Sequence, residues 1–172
     1  MSEDTPPRPK IREIVTAEEL RGMATDAGMS EETMGKMLGP LIGLPAAGGE
    51  AVFSAVEKIG KGFGFKTEKT VELNLACAYP AAVRALVFAL SSQRYGLTTA
   101  FDTPKGAYFE AILPRDVFSS PGTLQFDLID QGATSVQIRG ESEIDQVYDW
   151  GKGKRALNGV MEKVEAFARR LG

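Results

Sequence analysis

Thr70-Val71-Glu72-Leu73-Asn74-Leu75-Ala76-Cys77-Ala78-Tyr79-Pro80 is where the hydrophobic period of this chain changes. Val71, Leu73, Leu75 and Cys77 alternate with Glu72, Asn74 and Ala76, the period-two pattern of a half-buried strand. Tyr79-Pro80 then opens a helix, because proline is tolerated in a first turn. Val83, Leu86, Val87 and Leu90 recur at helical spacing, and Phe88 with several alanines widens their stripe. Four more strand candidates follow, over 97–102, 107–113, 123–129 and 135–144. The turns between them are short, for example Thr103-Pro104-Lys105-Gly106 and Asp130-Gln131-Gly132, which favours antiparallel hairpins. A last helix from about Lys154 to Leu171 carries Leu157, Val160, Met161, Val164, Phe167, Ala168 and Leu171 on one face.

The order β-α-β-β-β-β-α predicts an α+β domain over 67–172, a two-layer antiparallel sheet covered by two helices. Upstream, residues 1–15 read as a disordered leader, rich in proline and charge. Residues 16–66 read as a helical extension of three short helices. Thr16 and Glu19 fit a capping box for the first of these. Ser30 caps the second, over 31–38. Val52, Ala55, Val56 and Ile59 stripe the third, over 50–61.

Composition removes several chemistries. The 172 residues contain no histidine and one cysteine, so His-dependent triads, HExxH sites and zinc fingers are excluded. Cys77 falls in the apolar register and reads as a small buried hydrophobe. Gly60-Lys61-Gly62-Phe63-Gly64 lacks the third glycine of a dinucleotide loop and follows a helix, so it reads as a hinge. No phosphate-cradling lysine motif occurs. Asp127, Asp130, Glu141, Glu143, Asp145 and Asp149 are dense, but they fall mostly at the solvated positions of strands. No catalytic residue, metal ligand or cofactor site emerges, and a non-enzymatic binding or protein-interaction module is expected. The acidic, polar start and the lack of a long apolar run lead to a cytoplasmic expectation without a membrane span.

Two segments are candidates for binding. Lys152, Lys154 and Arg155 cluster at the start of the last helix, where cations and free N–H groups can hold an anion. The extension carries Met34, Met37, Leu38, Leu41, Ile42 and Phe53, an adaptable apolar load suited to a protein partner or to self-association. Residues 16–39 also resemble a repressor-type helix-turn-helix, with Gly28 at the turn. There, Glu31 and Glu32 would face phosphates. Residues 67–149 hold 6 basic and 11 acidic residues, so nucleic acid is an unfavourable partner for the sheet.

Phe118-Ser119-Ser120-Pro121-Gly122, then Gly132-Ala133-Thr134, then Tyr148-Asp149-Trp150-Gly151-Lys152 resemble the pattern of a functionally uncharacterised family of small bacterial domains. The element order resembles a TATA-binding-protein-like repeat and, less closely, the helix-grip fold of Bet v 1. The second likeness implies carriage of a small apolar ligand between sheet and helices, lined by Leu73, Phe88, Phe109 and Phe126.

Overall fold

The computed structural model describes residues 7–26, 28, 30, 39, 41, 67–115, 121–144 and 151–171. Among them, α1 spans Ile11–Ile14, α2 Ala17–Asp26 and β1 Thr67–Leu75. Then come α3 (Tyr79–Ser92), β2 (Leu97–Thr103), β3 (Gly106–Leu113), β4 (Gly122–Gly132), β5 (Ser135–Ile144) and α4 (Lys152–Leu171). The five strands form one antiparallel sheet in the order β1-β5-β4-β3-β2. Both long helices lie on one face of it, so the α+β architecture is the one the periodicity predicts.

Local chemistry explains each element. Ala78 precedes α3 in an extended conformation, and Pro80 sits in the first turn, where its missing N–H costs nothing. Ala82, Val83, Leu86, Val87 and Leu90 of α3 are fully buried. Each large aliphatic side chain among them contributes about 1.5–3 kcal/mol of burial. On β3, β4 and β5 the inward register is Ala107, Phe109 and Ala111, then Leu124, Phe126 and Leu128, then Val136, Ile138 and Ile144. Gly140 of β5 lets α4 come close: a Cβ there would meet Met161 Cε at 2.8 Å and Leu157 Cδ2 and Phe126 Cε1 at 3.1 Å. The α4 stripe frays at its end, where Phe167 is half-buried and Leu171 is 43% exposed.

The largest difference from expectation is at the N-terminus. Residues 7–15, read from sequence as part of a disordered leader, cross the domain and form α1. Ile11, Ile14 and Val15 are buried in the same core as the sheet, as is Leu20 of α2. Their spacing puts all three on one side of a single turn, which is enough apolar surface to dock a short arm on α3. The capping box at Thr16 forms as predicted: Thr16 N donates to Glu19 Oε2 at 2.9 Å, and Glu19 N to Thr16 Oγ1 at 3.2 Å. The other two helices of the expected extension, and residues 1–6, lie outside the described residues. Among the described residues no helix is long and apolar enough to cross a membrane.

Candidate functional site

The docked arm builds one wall of a cleft of about 510 Å³. Pro7, Arg8 and Pro9 form that wall, Ala78, Tyr79 and Pro80 at the start of α3 form the floor, and Asp130, Gly132 and Ala133 of the β4–β5 turn close the far side. Its volume falls within the range of small-molecule sites and its lining is mostly apolar, but it is open to solvent on one side.

Arg8 organises it. Its Nε donates to Asp130 Oδ2 at 3.1 Å. Its two terminal nitrogens donate to the carbonyls of Thr103 and Pro104 at 3.4 and 2.9 Å. The guanidinium lies over the Tyr79 ring, 5.3 Å from its centroid, within the range of a cation–π contact. At the first residue of α1, Asp102 Oδ1 accepts the Ile11 N–H at 2.9 Å.

Tyr79 is 3% exposed, and its hydroxyl has no hydrogen-bond partner among the described residues. Burial raises its pKa first, and the carboxylates of Asp102 and Asp130 raise it further against the opposing pull of Arg8. The phenol is therefore neutral at ordinary pH and offers an O–H donor.

A second polar cluster occupies the sheet face away from the helices. Phe101 and Tyr108 stack at 4.9 Å, and Tyr108 Oη donates to Glu110 Oε2 at 3.3 Å. In register beside them are Asp127 and Arg139, with Arg139 paired to Glu141 at 2.6 Å. No group of acidic or cysteine side chains among the described residues has the arrangement of a metal site.

The residues singled out from sequence are dispersed. Lys152 Nζ donates to the Pro114 carbonyl at 2.7 Å, while Lys154 and Arg155 are exposed on the first turns of α4. Leu41, expected at a partner surface, is 7% exposed and belongs to the chain's own core. Met34, Met37, Leu38, Ile42 and Phe53 lie outside the described residues. So does the second helix of the helix-turn-helix reading; the first is anchored to α3 by the Glu19–Arg84 pair at 3.3 Å. Cys77 is buried, and burial raises its thiol pKa. Of the residues expected to line a helix-grip cavity, Phe109 and Phe126 are fully buried and Leu73 and Phe88 half-buried, and at Gly140 the side chains of Met161 and Leu157 come close to Phe126.

Sequence reasoning missed Arg8, Tyr79 and Asp130 as a group. Arg8 sat in a segment that looked solvated, and Tyr79 registered only as a helix opener. No spacing rule joins three distant positions.

No protein-family model matches the chain, and no curated protein matches it in sequence. Solved structures are similar to part of the chain. One is a norcoclaurine synthase point mutant of Thalictrum flavum in complex with a transition-state analogue. It is 8% identical, with a TM-score of 0.41, over 64% of this chain and 99% of that one. An uncharacterized protein from Rhizobium leguminosarum is 14% identical, with a TM-score of 0.34, over 63% of this chain and 99% of that one. The Mll3558 protein from Rhizobium loti is 11% identical, with a TM-score of 0.32, over 62% of this chain and 99% of that one. At these values the likeness assigns no ligand, activity or partner to this chain. One expectation is nevertheless corrected: enzymatic activity was excluded on the composition, and one of the matched structures is an enzyme. The physical reason is that missing histidine removes only His-dependent chemistry. Tyrosine, carboxylate and lysine groups remain.

Proposed function

We propose that the protein binds a small, largely apolar molecule carrying one acceptor oxygen, in the cleft between the N-terminal arm, the start of α3 and the β4–β5 turn. The observation that carries this reading is the cleft itself, of about 510 Å³, with Tyr79 in its lining, whose hydroxyl is buried and has no partner among the described residues. A buried, unpaired O–H costs stability. The hydroxyl has no accessible surface in this structure, so a small shift of the arm must open it to the cleft, and a ligand oxygen that then accepts its hydrogen bond recovers that cost. Pro7, Pro9, Pro80, Ala78 and Ala133 supply the apolar contacts, and the closed Arg8–Asp130 pair leaves the walls without a free charge to reject a neutral guest.

The test compares acetophenone with ethylbenzene, which has nearly the same shape and no acceptor, by ligand-observed NMR titration. The wild type is expected to favour the ketone by about tenfold, the worth of one hydrogen bond to a buried donor. Tyr79→Phe should abolish that preference and, without ligand, raise the melting temperature. Ala133→Phe, at an exposed turn position, should block both compounds. Binding indifferent to Ala133→Phe, or a preference kept by Tyr79→Phe, would overturn the reading.

A further inference from the structure

The arm is held in two different ways along its length. From Lys10 onward it is fixed. The Lys10 N–H donates to Glu13 Oε2 at 2.8 Å, and the Ile11 N–H to Asp102 Oδ1 at 2.9 Å. Behind them Ile11, Ile14 and Val15 are buried in the core. Ahead of Lys10 the chain reads Pro7-Arg8-Pro9, with both prolines exposed. A proline has no N–H to donate, and its ring fixes its own φ. Pro9 also keeps the Arg8 backbone extended. The segment is therefore a short, stiff rod. Its Arg8 side chain grips three places at once: Asp130 of β4, the Thr103 carbonyl at the end of β2, and the Pro104 carbonyl of the following turn. The same guanidinium stands over the Tyr79 ring.

We propose that Arg8 is a latch that regulates entry to the cleft, a role that rests on the ligand-binding reading above. When Arg8 releases Asp130 and the two carbonyls, the Pro7–Pro9 rod swings about the Pro9–Lys10 junction and uncovers Tyr79, while α1 stays docked. Rotation about the Pro9 ψ angle moves what precedes it and leaves the Lys10 and Ile11 hydrogen bonds in place. Undocking Ile11 and Ile14 as well would expose two fully buried aliphatic side chains, so the hinge lies ahead of them. The latch itself is weak enough to open. The Arg8–Asp130 pair is joined through a single N–H rather than a two-point fork, the Thr103 contact is long at 3.4 Å, and the Pro104 contact is exposed to water. A partly solvated set of this kind favours the closed form by about tenfold. The latch also makes a selection. A ligand with an acceptor oxygen gains from the open form, where the Tyr79 hydroxyl can reach it. A hydrocarbon of the same shape gains nothing from the opening. The latch is therefore coupled to the first ligand and not to the second.

Two variants loosen the latch from its two sides. Asp130→Asn removes the carboxylate charge and keeps an oxygen for the Gly132 N–H. Arg8→Lys keeps a cation and loses the planar fork. Each should raise the open fraction by about fivefold. The first readout needs no ligand. In the full chain labelled with 3-fluorotyrosine, Tyr79→Phe assigns the Tyr79 fluorine resonance among those of the four tyrosines. Its displacement between H2O and D2O should be small in the wild type and about fivefold larger in both variants. The second readout is titration. Acetophenone should bind about fivefold more tightly to both variants than to the wild type, and ethylbenzene equally to all three. A purely structural role for Arg8 would instead weaken both compounds together. A wild-type Tyr79 resonance as solvent-sensitive as that of the variants overturns the proposal. So does a change confined to one variant, or a ketone and a hydrocarbon that shift in step. If neither compound binds the wild type, the cleft reading fails on its own, and the fluorine displacements still decide whether Arg8 covers Tyr79.

Discussion

Arg8 and Asp130 lie 122 residues apart in the chain and 3.1 Å apart in the fold. The pair is three-quarters buried on both sides, at 26% and 24% side-chain exposure, so solvent screens it less than a surface pair. Arg8 also satisfies two carbonyls of the β2–β3 turn and covers the Tyr79 ring. The arm is thus held by one side chain at its start and by Ile11, Ile14 and Val15 behind it.

Arg8→Ala should therefore destabilise the protein by about 1–2 kcal/mol, the worth of a partly screened charged hydrogen-bond set. For a chain of this size that is a fall of a few degrees in Tm. Arg8→Lys should recover only part of the loss. A single ammonium cannot span the carboxylate and two carbonyls as the planar fork does. A variant as stable as wild type would show that the apolar contacts alone hold the arm.

Glycine positions give a sharper ordering. A Cβ on Gly106 would lie 1.8 Å from the Leu128 carbonyl oxygen, a backbone atom of the neighbouring strand that cannot turn aside. At Gly140 the nearest obstacle is Met161 Cε, the far end of a flexible side chain. Gly140→Ala should cost about 1–3 kcal/mol, the usual penalty of overpacking. Gly106→Ala should cost more than Gly140→Ala, because the β3–β4 ladder itself must shift. Urea melts of the two variants check the order, and the reverse order would mean that α4, not the ladder, is the rigid partner.

The domain was legible in sequence wherever burial alternates locally. The period-two run at Val71–Cys77 and the stripes of α3 and α4 each report which face meets the core, and the observed Phe88–Phe167 edge contact at 5.9 Å joins those two stripes. Glu19 was legible too, because a capping box is a four-residue event. The arm carried a weaker signal, three aliphatics in one turn, outweighed by the prolines and charges around them. The cleft carried none. Arg8, Tyr79 and Asp130 meet through the crossing of an arm, a helix start and a hairpin turn, and chain periodicity does not encode such crossings. That β1 is an edge strand follows from the strand order, which the element sequence alone leaves open.

The carboxyl groups of Asp127 and Glu19 are shifted in opposite directions by their surroundings. Asp127 keeps much of its surface in water, yet the groups packed around its carboxylate raise its pKa. The Glu141 charge raises it further, and Arg139 offsets only part of this. Its folded-state pKa lies above the unfolded one, so the native state binds the proton more tightly. Stability then falls as pH rises through the interval between the two values. Asp127→Asn removes that loss and should be more stable than wild type at neutral pH, with the advantage vanishing as acid protonates Asp127. Glu19 runs the other way. The Thr16 backbone hydrogen bond, with Arg84 beside it, outweighs a small desolvation and lowers its pKa. Its contribution is present above the ordinary glutamate range and is lost as pH falls through the lowered folded value. Glu19→Gln keeps an amide oxygen for the Thr16 N–H but drops the charge. It should be less stable than wild type at neutral pH and converge with it in acid. Thermal melts of the three proteins across the acid range should therefore show curves that approach wild type from opposite sides, one from above and one from below. Parallel displacements, constant with pH, would show that neither carboxylate's charge is coupled to folding.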